Sequence, residues 1–229
     1  MKLSRVISRC FRGAVHFPKT LYLNFSVLPF KDAVKLPFVI MGKCKLSGIN
    51  KNTVKVNGKI KTGMIKIAAQ KTSKRGIPVN KSAYLICDNG GKIIFDGSAS
   101  IGGGTSICAS GGKIRLGDKF SCNVNCFVYS NEEITFGEDV LLGWNINLRD
   151  NDGHPLYDDK HNVVNPPKKI EIGDHVWIAS YVDILKGVSL ANGTVVGTRS
   201  LVTKSFTTEN AVIAGSPAKQ VKENIYWEH

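Results

Sequence analysis

Every sixth residue from Ile172 onward is aliphatic: Ile172, Ile178, Ile184, Leu190, Val196 and Val202. A period of six fits neither a helix nor the plain alternation of a half-buried strand. The positions that follow by one, Gly173, Ala179, Leu185, Ala191, Gly197 and Thr203, and those that follow by four, Val176, Val182, Val188, Thr194 and Ser200, are mostly small or β-branched. Six residues allow one short strand and a corner. Three such units close a triangular turn, and the next turn lies one strand spacing above, roughly 4.8 Å away. The large aliphatic residue then points inward on every side, while Gly173-Asp174 and Asn192-Gly193 relieve the corners. No turn is stable alone, because each buries its apolar face only against a neighbour.

The same spacing recurs upstream in Phe95, Ile101 and Ile107, in Leu116, Cys122 and Val128, and in Phe136, Leu142 and Leu148. The register slips between triplets at Gly111-Gly112-Lys113 and Asn131-Glu132-Glu133, as a corner with a short insertion requires. About five turns can be counted this way. Gly, Ser, Asn and β-branched residues crowd these runs and disfavour a helical reading. The pattern predicts an all-β solenoid.

The flanks read differently. In residues 1–36, Leu3, Val6, Ile7, Cys10, Phe11 and Ala14 have the spacing of a helix with one apolar face, predicted to end before Pro18. A loop-rich or short-helical cover follows. This segment holds seven Lys or Arg against Asp32 as its one acid. It is expected to cap the open end of the solenoid, with an interfacial membrane foot as the alternative. Residues 37–69 read as degenerate first turns, and residues 70–82 as an exposed polar and basic loop. The repeats stop at residues 150–168, DNDGHPLYDDKHNVVNPPK, a loop protruding from an otherwise regular prism, where function usually sits. The solenoid is taken to span 37–222, leaving 223–229 as a tail, and the last dozen residues are expected to form a short helix.

Composition narrows the classes. The 229-residue chain, 42% hydrophobic, suits one ordinary domain. It has no apolar run of about 18 residues, so no spanning helix is expected, and its start lacks the uninterrupted apolar centre of a secretory signal. A cytoplasmic location is expected, or one at the inner membrane face through residues 1–36. The six cysteines show no zinc spacing, and Cys122 and Cys126 fall on inward hexad positions as small buried hydrophobes. No metal site is expected. A net charge of +13 asks for an anionic partner, but the basic residues are spread along the chain without an aromatic platform, which argues against nucleic acid.

The hexads, NDGHPLYD at 151–158, IGDHVWIAS at 172–180 and AGSPAK at 214–219 together resemble the hexapeptide-repeat acyltransferases. The likeness is greatest to the maltose and galactoside O-acetyltransferases and to those of capsule and lipopolysaccharide biosynthesis, and it covers roughly residues 90–222. It implies a left-handed parallel β-helix, a hand that topology rules alone would not have favoured. It also implies acetyl-CoA as acyl donor, a saccharide or glycan hydroxyl as acceptor, direct transfer in a ternary complex, and a homotrimer whose histidine loop meets the coenzyme groove of the next subunit.

Transfer of an acetyl group from a thioester to a hydroxyl needs a base, and imidazole suits that task near neutrality. His154, in Gly153-His154-Pro155, matches the family's catalytic histidine. Asp152 or Asp150 is a candidate to orient its ring; His161 and His175 read as structural or surface residues. By the same resemblance Asn123 and Asn131 are acceptor-binding, with Asp152 beside them. Asn131 departs from the usual Asp and leaves the acceptor open. The bland reading of both asparagines is a corner residue with left-handed backbone angles. Trp177, Ala179, Ser180 and Thr198 would line the pantetheine arm, Lys204 and Lys219 would meet the coenzyme's phosphates, and Pro217 would fix the chain beside the adenine. Three other functions compete: an antibiotic O-acetyltransferase, a non-enzymatic β-solenoid scaffold, and a carbonic anhydrase, for which the histidine spacing is wrong.

Overall fold

The computed structural model describes residues 3–69 and 81–229, with side chains from residue 15 onward. The chain winds into a three-sided parallel β-helix whose sides are sheets of nine, seven and six strands, here faces A, B and C. One circuit shows the plan: Phe120–Cys122 lies on A, Phe127–Ser130 on B and Glu133–Phe136 on C, and Leu141–Leu142 returns to A. Parallel pairing places each hexad residue over its counterpart one circuit below. On face A, Ile101, Cys122, Leu142, Ile178 and Val196 are successive partners. Every residue of the six-spaced series itself, from Phe95 to Val202, is 3% exposed or less, whereas Leu185, one position after it, is 39% exposed. The side-chain period of the sequence therefore is the column of the core.

Circuits stack this closely only where the corners are small. A Cβ on Gly102 would lie 2.1 Å from the carbonyl oxygen of Asn123 in the circuit above, which no side chain tolerates. Cys44, Cys87, Cys108, Cys122 and Cys126 are buried thiols. Burial pushes the thiols of Cys44 and Cys87 up to about 11 and about 12, so they pack as apolar groups.

Face B has seven strands, more than the five turns countable from the hexads. The two additional strands on face B are Cys44–Ser47 and Ala83–Asp88, and their circuits are completed by Phe38–Ile40 and Ile65–Ala69 on face A and Val54–Val56 on face C. The residues between these strands vary in number and erase the six-residue period without preventing pairing. The loop read at 70–82 lies almost wholly outside the described residues.

Two expectations need correction. Helix α1 does not end before Pro18 but runs Leu3–Val27 through it; α2 (Phe30–Ala33) follows. An interior proline costs about 3 kcal/mol, and tertiary contacts offset it. Leu23 and Val27 are buried against Phe38 and Ile40 of strand β1 (Phe38–Ile40). Asn24 accepts from the Phe38 N–H at 3.1 Å and donates to its carbonyl at 2.8 Å, Thr20 accepts from Ile40 N–H at 3.1 Å, and Lys19 reaches the Cys44 carbonyl at 2.7 Å. The helix thus satisfies the open sheet edge that an uncapped solenoid would expose. The apolar face expected from Leu3 to Ala14 lies outside the described side chains; farther along, Tyr22, Phe25 and Phe30 are exposed. Among the described residues, no helix is long and apolar enough to cross a membrane.

The second correction is at the other end. The last dozen residues form no helix: Ala218–Lys222 pairs antiparallel with Val212–Gly215 on face A, and the tail continues without regular structure.

Candidate active site

The loop at 150–168 leaves the prism at the edge between faces B and C, after Asn147–Arg149 on B and before Ile170–Ile172 on C. Its base is closed by the Lys168 N–H donating to the Asp150 carbonyl at 2.8 Å. Its tip is an ordered hairpin with a bridge between Tyr157 and Val163. The Asp158 carboxylate accepts from the N–H groups of Lys160 and Asn162 and holds the turn. Those bonds keep it below the usual carboxylate range. Leu156, Tyr157, Val163 and Val164 are each about half exposed or more, so the arm presents apolar surface that this chain does not cover.

His154 is exposed on this arm, just after Gly153, whose φ of +83° is accessible to glycine at no steric cost. Neither aspartate expected to orient its ring does so. Asp150 is fully buried and turned inward, accepting from Ser130 Oγ at 2.7 Å, from the N–H groups of Asn131 and Glu132 at 2.8 and 2.9 Å, and from Asn151 Nδ2 at 3.0 Å. Asp152 faces Lys186 Nζ at 2.6 Å and Asn165 Nδ2 at 2.9 Å.

The other candidate residues divide between edges. Asn131, Asp152, His154 and Lys204 lie at the B–C edge, whereas Asn123, Ala179, Ser180 and Thr198 lie at the A–B edge. Trp177 projects from face A, 37% exposed, and Pro217 and Lys219 belong to the terminal hairpin on that face. Thr198 donates to the Ser180 carbonyl at 2.7 Å, tying two of the A–B residues together. The two edges are separated by one face, roughly 15 Å at about 3.3 Å per residue. Asn123 donates to the Leu142 carbonyl at 3.1 Å and Asn131 to the Ser110 carbonyl at 2.7 Å, so both amides brace adjacent circuits. The left-handed corner angles fall instead on Asn125 and Asn145. A groove of about 610 Å³ beside Asp96, Arg115, Glu138 and Asp174 on face C contains none of the candidate residues.

A cluster that the sequence did not single out holds the tail. Trp227 stacks on His175 at 4.3 Å with its plane 8° away, leans on Trp177 at 5.9 Å, and donates from Nε1 to the His175 carbonyl at 2.9 Å. His175 Nδ1 faces Asp139 Oδ2 at 2.8 Å and its Nε2 faces the Trp227 carbonyl at 3.0 Å. His229 Nε2 meets the other Asp139 oxygen at 3.0 Å. Both partners of the His175 ring are acceptors, and only the imidazolium donates from both nitrogens. Partial burial disfavours that charged ring, but the Asp139 bond, the Trp227 carbonyl and the Asp139 charge outweigh burial and raise its pKa. Burial likewise opposes charge on Asp139, and the two histidine hydrogen bonds still lower its pKa. A raised histidine pKa contributes stability that is complete below the unfolded value and lost as pH rises through the folded one. Tail docking is therefore expected to weaken on alkalinisation above the ordinary histidine range. Tryptophan fluorescence should shift there in the parent and not in His175→Gln; identical titrations would contradict this.

No protein-family model matches the chain. It is 34% identical over 114 residues to the galactoside O-acetyltransferase of Escherichia coli strain K12, covering 49% of this chain and 55% of that one. It is 34% identical over 154 residues to the putative lipopolysaccharide biosynthesis O-acetyl transferase WbbJ of the same strain, covering 61% and 78%. Among solved structures, the polysialic-acid-specific acetyltransferase NeuO superposes with a TM-score of 0.53 at 26% identity, over 84% of this chain and 89% of that one. This chain thus spans about half the length of the galactoside enzyme it matches. Fold and repeats define a left-handed parallel β-helix of the hexapeptide class. The chain belongs to the hexapeptide-repeat acetyltransferases.

Proposed function

We propose that this protein is an acetyl-CoA-dependent O-acetyltransferase acting on a hydroxyl of a saccharide or surface-glycan precursor. His154 removes the hydroxyl proton as oxygen attacks the thioester carbonyl; the carbon–sulfur bond breaks, and the coenzyme thiolate leaves and takes up a proton. No acyl-enzyme is required, and orientation of two bound substrates is the main contribution. The names of the two relatives, a galactoside and a lipopolysaccharide-biosynthesis acetyltransferase, support the acceptor class.

The observation that carries the reading is the separation of the edges. The base stands on an apolar arm at the B–C edge, and Ala179, Ser180 and Thr198 stand at the A–B edge. One chain alone keeps the base from the donor groove. Association of prisms around a threefold axis brings one protomer's arm to its neighbour's groove, with Lys219 and Pro217 near the coenzyme's far end and Lys204 reaching it from across the interface. Asn123 and Asn131 would face the acceptor.

The test is complementation. Co-expressed in equal amounts, inactive His154→Ala and Lys219→Glu chains should recover roughly one quarter of parental activity, the chance that an intact arm meets an intact groove. No recovery, or a stable monomer by light scattering, would refute the composite site.

A further inference from the structure

The proposed base has no side chain bonded to its ring among the described residues, yet the backbone on both sides of it is held. Asn165, on the returning strand of the arm, donates from Nδ2 to the His154 carbonyl at 2.9 Å and accepts on Oδ1 from the Leu156 N–H at 2.6 Å. One amide thus brackets Pro155, which has no N–H of its own. The same Nδ2 also donates to Asp152 Oδ2 at 2.9 Å. Asp152 is tied to the prism by Lys186 Nζ at 2.6 Å, and Lys186 also donates to the Asn165 carbonyl at 2.9 Å. Lys186 belongs to the next circuit at the same B–C edge, between Asp183–Ile184 and Ser189–Leu190. Its side chain is 17% exposed, so the ammonium is largely shielded where it meets the arm.

We propose that Lys186, Asp152 and Asn165 form a clamp that positions His154 for acetyl transfer, with Lys186 the rigid anchor and Asn165 the element that sets the loop backbone. The inference rests on His154 as the base. It also moves Asp152 from acceptor binding to positioning, because one of its oxygens already takes both the ammonium and the amide. Lys186 ties both sides of the arm to the prism and Asn165 ties the two sides to each other, so losing either residue frees the ring's backbone without unfolding the core. The Lys186 and Asn165 hydrogen bonds hold the Asp152 carboxyl below its usual range. That contribution is lost only as pH falls through the lowered value.

The test uses the full chain with Lys186→Met, which keeps length and removes charge, Asn165→Leu, and Lys186→Arg as conservative rescue. Lys92→Met, on face C, is the control. Lys186→Met and Asn165→Leu should lower kcat by about 10- to 100-fold, as a small misplacement of a reacting group does. KM for acetyl-CoA and thermal midpoint should stay near parental values, and Lys186→Arg should recover most of kcat. Hydrogen exchange at residues 153–157 should accelerate in the same two variants and not in the control. Unchanged exchange overturns the clamp. Faster exchange with parental kcat overturns its positioning role while leaving the base assignment standing. A parent that transfers acetyl but is unaffected by loss of His154 overturns the base reading instead.

Discussion

Replacing His154 by alanine is expected to lower kcat for acetyl transfer by about 10²- to 10⁴-fold, the usual contribution of a positioned general base. The ring is exposed and its imidazole bonds to none of the described residues, so nothing in the fold depends on it. Melting temperature and KM for acetyl-CoA should therefore stay at parental values, with the loss confined to kcat. Coenzyme A release followed with donor and acceptor both saturating is the direct measurement. Transfer within a few-fold of the parent would remove the histidine from the mechanism.

The second large effect is on stability. Asp150 lies four residues before His154 but faces the interior, where its two oxygens accept four hydrogen bonds, two of them from the backbone of the B–C corner below. Asp150→Ala takes this acceptor from the Asn131 and Glu132 N–H groups and from the Asn151 amide, while Ser130 Oγ retains the Lys113 carbonyl at 3.2 Å, and at about 1–3 kcal/mol for each donor left unpaired it is expected to cost about 3–5 kcal/mol. In a chain of this size that lowers the melting temperature by roughly 10 °C. Asp150→Asn should not restore it, since its NH2 must face either the Asn131 N–H or the pair formed by Ser130 and Glu132. A shift below about 2 °C on thermal denaturation would show that the corner finds other acceptors.

These two neighbours show what a sequence conveys and what it does not. Both residues sit in one polar stretch, DNDGHP, where either carboxylate could be imagined beside the imidazole. Asp150 still belongs to the last regular corner, and its side chain follows the inward geometry of the prism. Asp152 is already on the arm and meets Lys186, which lies 34 residues away in sequence and one circuit away in space. No local pattern encodes that pairing. The tail is similar: nothing local to Trp227 marks its partner His175, 52 residues earlier, which becomes its neighbour only when the circuits stack.

The six-residue period by itself determined a three-sided solenoid, though neither its hand nor its first circuits, because a solenoid repeats one local rule and each residue's side, inward or outward, follows from its place in the hexad. The sequence also carried the motif that points to His154 and the family's chemistry. Tertiary structure decided the rest. It carried α1 through Pro18, since hydrogen bonds to the edge strand Phe38–Ile40 outweigh a broken helical bond. It drew the terminal residues into an antiparallel strand and a docked tail instead of a helix. It also set the candidate base on one edge and Ala179, Ser180 and Thr198 on another. Which corner a residue occupies depends on how many residues each circuit inserts, and that count becomes a position in space only after the turns have stacked.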